Sequence, residues 1–270
     1  VSIKELNLTL LLIKKLVSCK FIIFFGFLCM KIIKLDAIDS TNSFLKKKMS
    51  NPEIDDFTIV YSQNQFKGRG RTTKQWISEP NKNIAFSLFK RFKKSELQHL
   101  FILNVIVSIS ILELLKKYRV KHTSVKWPND IMVKNKKISG VLIENKIKKN
   151  NSINSVIGIG LNINQTNFSN LNYATSIINE IGSVTDIDSL ANELAIIIKS
   201  NLKFLESNIN FYFDQYNKKL YNKNQTVSFK NNNGKIKVGK IIKVGFNGNL
   251  MIMNEKGKIE YFLENEIKFL

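Results

Sequence analysis

Among the 42 lysines and arginines of this 270-residue chain only four are arginine, at positions 69, 71, 91 and 119. Two of them alternate with glycines in Gln65-Phe66-Lys67-Gly68-Arg69-Gly70-Arg71. A guanidinium is a planar, permanently charged fork that matches a carboxylate or phosphate, and glycines let a backbone turn sharply and approach a ligand closely. The combination suits an anion carrying an acyl or phosphoryl group, although a solvent-exposed basic loop accounts for the stretch taken alone. It is neither the phosphate loop G-x-x-x-x-G-K-[ST] nor the dinucleotide G-x-G-x-x-G. An RNA-binding arginine-glycine segment is expected in repeated copies, and here there is one. A second segment, Lys126-Trp127-Pro128-Asn129-Asp130, is followed seven residues later by Lys137. By itself it also reads as a tight turn ending a strand. Both cysteines, Cys19 and Cys29, precede Met30, and His99 and His122 are isolated. A zinc site is therefore not expected, and the chain after Met30 has no thiol to act as a nucleophile.

The elements that must position these residues follow from periodicity. Lys31 to Asp36 alternates as a strand, and Ser40, Thr41 or Asn42 can cap the helix after it. "FTIVYSQ" reads as a strand entering the glycine-arginine loop and "NIAFSLFKRF" as the next. Ser95 and Gln98 fit a capping box before the long apolar run ending at Tyr118, which reads as a buried helix. "SVKWP", two strands joined by a turn at Asn135 to Lys137, and "SVIGIGLNIN" follow. Asp188 is expected to open a helix through "LANELAIIIKSNLKFL", with a further helix to about Tyr221. From Thr226 short strands punctuated by "NNNG", "FNGN" and "NEKG" indicate a small antiparallel barrel. The expected organisation is a 1–29 extension, a 30–223 domain and a 224–270 domain.

Hydrophobic residues make up 44% of the chain, enough for a sizeable core. The formal charge of +21 makes a nucleic-acid partner a first guess. The lysines are scattered among Asn, Ile and Phe, however, as a bias of the whole chain rather than one face. The apolar stretch before Met30 is interrupted by Lys14, Lys15 and Lys20, so it is too short to span a membrane, and no small-residue cleavage site follows it. The expectation is a dispensable extension, with the cytosolic body beginning at Met30.

Taken in order, "DSTN" (39–42), "QFKGRGR" (65–71), Trp76, "KWPND" (126–130), "KISGVLIE" (137–144) and "GIGLNIN" (158–164) resemble biotin-protein ligases of the short form that lacks a DNA-binding domain. The resemblance implies an α+β fold: a class II aminoacyl-tRNA synthetase-like, biotin/lipoate ligase catalytic domain with a mixed sheet and helices, plus a C-terminal SH3-like β-barrel. It implies biotin and ATP as substrates with Mg2+, biotinyl-5'-AMP as the intermediate, and a lysine of a biotin carboxyl carrier protein as acceptor. It implies that Ser40, Thr41, Asn42 and Gln65 bind the biotin ring, that Gly140 leaves room beside it, and that Arg69, Gly70 and Arg71 wrap the carboxylate and the adenylate phosphate. Lys137 and Arg71 become the catalytic candidates. Trp76, Asn129, Asp130 and Asn162 become the nucleotide-binding ones, with no protein metal site. A cytoplasmic enzyme without DNA or membrane partners, compatible with a homodimer through a sheet edge, completes the expectation. The sequence departs from the family pattern at Thr73 and Lys74, where a Gly-Arg is common, and at bulky Phe66 and Lys67. A lipoate or octanoate ligase is the neighbouring enzyme reading, and a basic nucleic-acid-binding protein the one from another class.

Overall fold

The structure, a computed structural model, describes residues 30–49, 53–71, 74–97, 99–148, 152–169, 171–205 and 207–270. The 1–29 extension, Thr73 and Gln98 lie outside the described residues.

A seven-stranded sheet carries the first half of the chain. Its strands are β1 (Ile32–Leu35), β2 (Thr58–Ser62), β3 (Asn83–Lys93), β4 (Thr123–Lys126), β5 (Asp130–Val133), β6 (Lys136–Ile147) and β7 (Ser152–Asn162), in the order β1-β2-β3-β7-β6-β5-β4. β1 and β2 are parallel and every other pair is antiparallel. The period of two sorts β3 between faces. Ile84, Phe86 and Leu88 enter the main core, whereas Ala85, Ser87 and Phe89 face the other way.

Helices cover the main-core face. α2 (Ile102–Lys117) is apolar almost all round because it is enclosed, packing on β6 and β4 and against α4 (Ile187–Lys203) and α5 (Ile209–Lys218). α1 (Thr41–Lys48) lies on the opposite face, where Leu45 and Met49 meet Val60, Phe89 and Val156. The sheet beyond that small cluster is left for the site.

Residues 226–269 form a five-stranded antiparallel sheet, the SH3-like part of the fold: β8 (Thr226–Asn231), β9 (Ile236–Val244), β10 (Leu250–Asn254), β11 (Ile259–Phe262) and β12 (Ile267–Phe269), in the order β11-β10-β9-β8-β12. Gly234, Gly248 and Gly257 take positive φ in three of its four turns, where glycine avoids the Cβ penalty. Phe229, Ile241 and Leu250 join the same buried cluster as α2.

The structure corrects three local expectations and adds one short helix. Ser95 does not cap the long helix: α2 begins at Ile102, and Glu96 instead accepts from the Lys93 amide at 3.0 Å within a 3-10 turn at Lys94–Glu96. Asp186, not Asp188, caps α4, its carboxylate accepting from Ser189 N at 2.7 Å. Asp188 sits in the first turn and reaches out to Lys34, Tyr61 and Gln63. The β5–β6 turn is Lys134-Asn135, with Lys134 at φ 51°, so Lys137 is inside a strand. The five-residue α3 (Ile177–Ile181), bracketed by the Ser176 cap and left-handed Gly182, was too short for its periodicity to be read.

Candidate active site

The open face of the sheet is paved with small residues. Register places Ala85 opposite Gly160 and Ser87 opposite Gly158 on one side of β7, and Gly140 opposite Gly160 and Leu142 opposite Gly158 on the other. A Cβ on Gly158 would lie 2.1 Å from Asn42 Oδ1, and one on Gly160 would lie 2.4 Å from Trp76 Cε2. The two glycines thus let a helix residue and a loop tryptophan rest directly on the strand.

At the α1 end the floor is polar and buried. Ser40 caps the helix, its Oγ accepting from Ser43 N. Thr41 N donates to Gln65 Oε1 at 2.9 Å, and Ser87 Oγ lies 2.7 Å from Thr41 Oγ1 while donating to Asn42 Oδ1 at 2.6 Å. Asn42 Nδ2 donates to Leu142 O at 3.2 Å and to Glu144 Oε2 at 3.3 Å. Glu144 also pairs with Lys46 at 2.6 Å and Arg69 at 3.2 Å. Burial pushes the Glu144 carboxyl up, but the Lys46 hydrogen bond and the Arg69 and Lys46 charges outweigh it and hold it below the usual carboxylate range.

The glycine-arginine loop forms the roof. It is a pinched excursion: Trp76 N donates to Gly68 O at 3.0 Å and Gly70 N to Lys74 O at 2.8 Å. Neither Gly68 nor Gly70 takes positive φ. Gly68 is needed because a Cβ there would lie 2.3 Å from Trp76 O, on the returning arm of the loop. Arg71 pairs with Glu264, in the connection between β11 and β12, so the loop is tied to the second sheet. Phe66 is exposed.

Lys137 owes its position to a bulge. Ser139 pairs with Ile131 but Lys137 with Met132, so Ile138 is the extra residue on β6. Regular alternation would turn Lys137 and Gly140 to opposite faces; the bulge brings them together. Lys137 Nζ would be only 3.0 Å from a Cβ on Gly140, lies 5.7 Å from the Trp76 ring centroid and pairs with Asp130 at 2.6 Å. Asn129 Nδ2 donates to Val141 O at 2.6 Å, and buried Asn162 Nδ2 to Thr175 O at 3.0 Å. Trp127 of "KWPND" points elsewhere: it is buried and donates from Nε1 to Gly248 O at 2.9 Å, joining the two sheets.

Two cavities result. One of about 170 Å³ is lined by every sequence-derived candidate except Asn162. A wider groove of about 850 Å³ adjoins it and includes Asn162. Gln75, Trp76, Asp130 and Lys137 line both. Ser87, Glu144, Gly158, Gly160 and Glu264 also shape the site, although none was a candidate for a role in it. The two glycines were visible in "GIGLNIN" as alternate strand positions without side chains.

Residues 35–162 match the biotin/lipoate A/B protein ligase family. That part of the chain is a domain of this ligase family. The chain is 29% identical over 174 residues to the bifunctional ligase/repressor BirA of Escherichia coli, covering 64% of this chain and 53% of that protein. It is 26% identical over 139 residues to the biotin–[acetyl-CoA-carboxylase] ligase of Mycobacterium tuberculosis, covering 49% and 50%. The chain spans about half the length of these curated relatives. Biotin protein ligase from Aquifex aeolicus, solved in complex with biotin and ATP, superposes with a TM-score of 0.74 at 26% identity, covering 89% of this chain and 98% of that one. The ligase-family match ends at Asn162, the last residue of β7, so it takes in the glycine floor, the arginine loop and Lys137. No helix among the described residues is long and apolar enough to cross a membrane.

Proposed function

We propose that this chain activates biotin with ATP as biotinyl-5'-AMP and passes the biotinyl group to a lysine of a biotin carboxyl carrier protein. The observation that carries the reading is the meeting of a small polar-floored pocket and a larger groove at Lys137, Trp76, Asp130 and Gln75. An adenylation needs an acid and a nucleotide to touch at one point, and a fixed cation there screens the two approaching anions. In the first step a biotin carboxylate oxygen attacks the α-phosphorus and pyrophosphate leaves. In the second the carrier amine attacks the acyl carbon and AMP leaves.

Ser40, Thr41, Asn42 and Gln65 suit the ureido ring, which both donates and accepts hydrogen bonds. An octanoyl chain or a dithiolane has no such groups and would lay apolar surface against this polar floor without hydrogen-bonding to it. That contrast, together with the Aquifex aeolicus likeness, favours biotin over lipoate or octanoate. Arg69, Gly70 and Arg71 are assigned to the carboxylate and adenylate phosphate, and Lys137 to the reacting oxygens. Trp76 is assigned to the adenine; its buried Nε1 has no hydrogen-bond partner among the described residues. Asn129, Asp130 and Asn162 are assigned to the nucleotide side. Magnesium enters as part of the nucleotide substrate, held mainly by phosphates, and Asp130 is a carboxylate lining both cavities. No cluster of three or more metal-ligating side chains occurs among the described residues. A catalytic unit over 30–223 with a second unit over 224–270, set in the cytoplasm where ATP is available, belongs to the same proposal. The nucleic-acid reading is not favoured, because Arg69 and Arg71 line a pocket and are engaged by Glu144 and Glu264.

ATP–pyrophosphate exchange with biotin, lipoate and octanoate tests the proposal. Exchange that requires biotin, and falls at least about a hundredfold in Lys137→Ala, is expected. Exchange supported by lipoate or octanoate alone would move the assignment to the sister ligases.

A further inference from the structure

Glu144 stands behind the pocket rather than in it. The cavity wall next to it consists of Asn42, Arg69 and Leu142, and the Glu144 side chain is 16% exposed. Its two oxygens are divided between elements: Oε1 takes Lys46, while Oε2 takes both Asn42 Nδ2 from α1 and Arg69 Nη1 from the loop. It therefore ties Asn42, at the helix end of the pocket, to Arg69 of the roof. Arg69 reaches Glu144 through Nη1 at 3.2 Å. A guanidinium has five N–H donors, so one contact fixes its place without exhausting the fork.

Resting on the biotin reading above, we infer that Glu144 is a positioning residue that sets Arg69 against the acid end of the substrate while holding Asn42 at the ring end. The two duties differ chemically. Asn42 needs only an acceptor oxygen, which a glutamine also offers. Arg69 needs the negative charge, because a neutral amide holds a guanidinium far less firmly. Lys46, on the solvent side of α1, keeps the carboxylate ionised and fixes its rotamer.

The experiment measures equilibrium affinity by calorimetry for biotin and for biotinol, its alcohol analogue, which keeps the ring and lacks the carboxylate. Biotin should bind Glu144→Gln about tenfold more weakly than the parent, and biotinol within about twofold of it, since the loss of one charge-assisted contact is felt only by the anion. Glu144→Ala should weaken both ligands, because Asn42 then loses one of its two acceptors as well. Equal weakening of the two ligands in Glu144→Gln would mean a general structural role and overturn the inference. Tighter biotin binding in Glu144→Gln would overturn it too, by showing that Glu144 competes for Arg69 rather than placing it. A parent chain that binds neither ligand would sink the biotin reading itself, an outcome distinct from either variant result. Thermal melting of each variant identifies a failure to fold, in which case Lys46→Met, which leaves Glu144 in place but unsupported, should shift the biotin-to-biotinol ratio in the same direction. An unchanged ratio there would count against the inference.

Discussion

Adding one methyl group at Gly160 should disable nucleotide binding while leaving the fold almost intact. The Cβ of Gly160→Ala would lie 2.4, 2.6 and 2.7 Å from Cε2, Cδ2 and Cζ2 of Trp76. Carbon atoms are comfortable at about 3.5–4.0 Å, so the indole must lift by roughly 1 Å or more. The backbone itself accepts alanine, because Gly160 is in a regular strand without positive φ. Overpacking of this kind costs about 1–3 kcal/mol. If the whole penalty is felt when adenine stacks on the displaced ring, the KM for ATP rises about 5- to 150-fold at roughly 1.4 kcal/mol per decade. Trp76 is half-buried and on a loop, so the ring has somewhere to go, and the melting midpoint should fall by no more than about 4 °C. Pyrophosphate exchange at varied ATP and at varied biotin, alongside a thermal melt, separates the effects. An ATP KM unchanged within about twofold, coupled with a much larger drop in midpoint, would show the indole to be core filler and refute the reasoning.

Glu264→Gln should weaken the tie between Arg71 and the second sheet, and the expected result is faster escape of biotinyl-5'-AMP from the enzyme, followed by filter retention of labelled intermediate, with little change in the melting midpoint. Trp127→Phe removes the buried indole donor to Gly248 O and strands that carbonyl, at a cost of about 1–3 kcal/mol, read as a lower urea midpoint. Glu144 titrates lower in the fold than in the unfolded chain, so its contribution to stability is present above the ordinary carboxylate value of about 4.3 and is lost as pH falls through its folded value. Urea midpoints between about pH 6 and 3 should therefore fall less steeply in Glu144→Gln than in the parent.

Much of the fold was legible because its signals are local. The alternation of "NIAFSLFKRF", the long apolar run of α2 and the glycine turns after Thr226 each identify an element within a short window. Helix starts were misplaced at Ser95 and Asp188 because several adjacent side chains could cap, and only the surrounding contacts choose among them. Most candidate site residues were legible too, since arginines in a lysine-rich chain and a Trp-Pro-Asn-Asp run are compositional outliers. Their convergence on one site was implied by the family resemblance and by nothing in their spacing.

The sequence alone determined which residue types were available for the chemistry: arginine forks, Lys137, a polar helix start, two tryptophans and, after Met30, no thiol. Only the tertiary structure decided how they are used. It turned Lys137 toward Gly140 through a one-residue bulge, separated Trp76 at the pocket from Trp127 between the sheets, and enlisted Glu144 and Glu264 to hold the two arginines. The physical reason is that strand register and cross-sheet distance depend on residues far apart in the chain. A shift of one residue in the pairing reverses which side chains face the site.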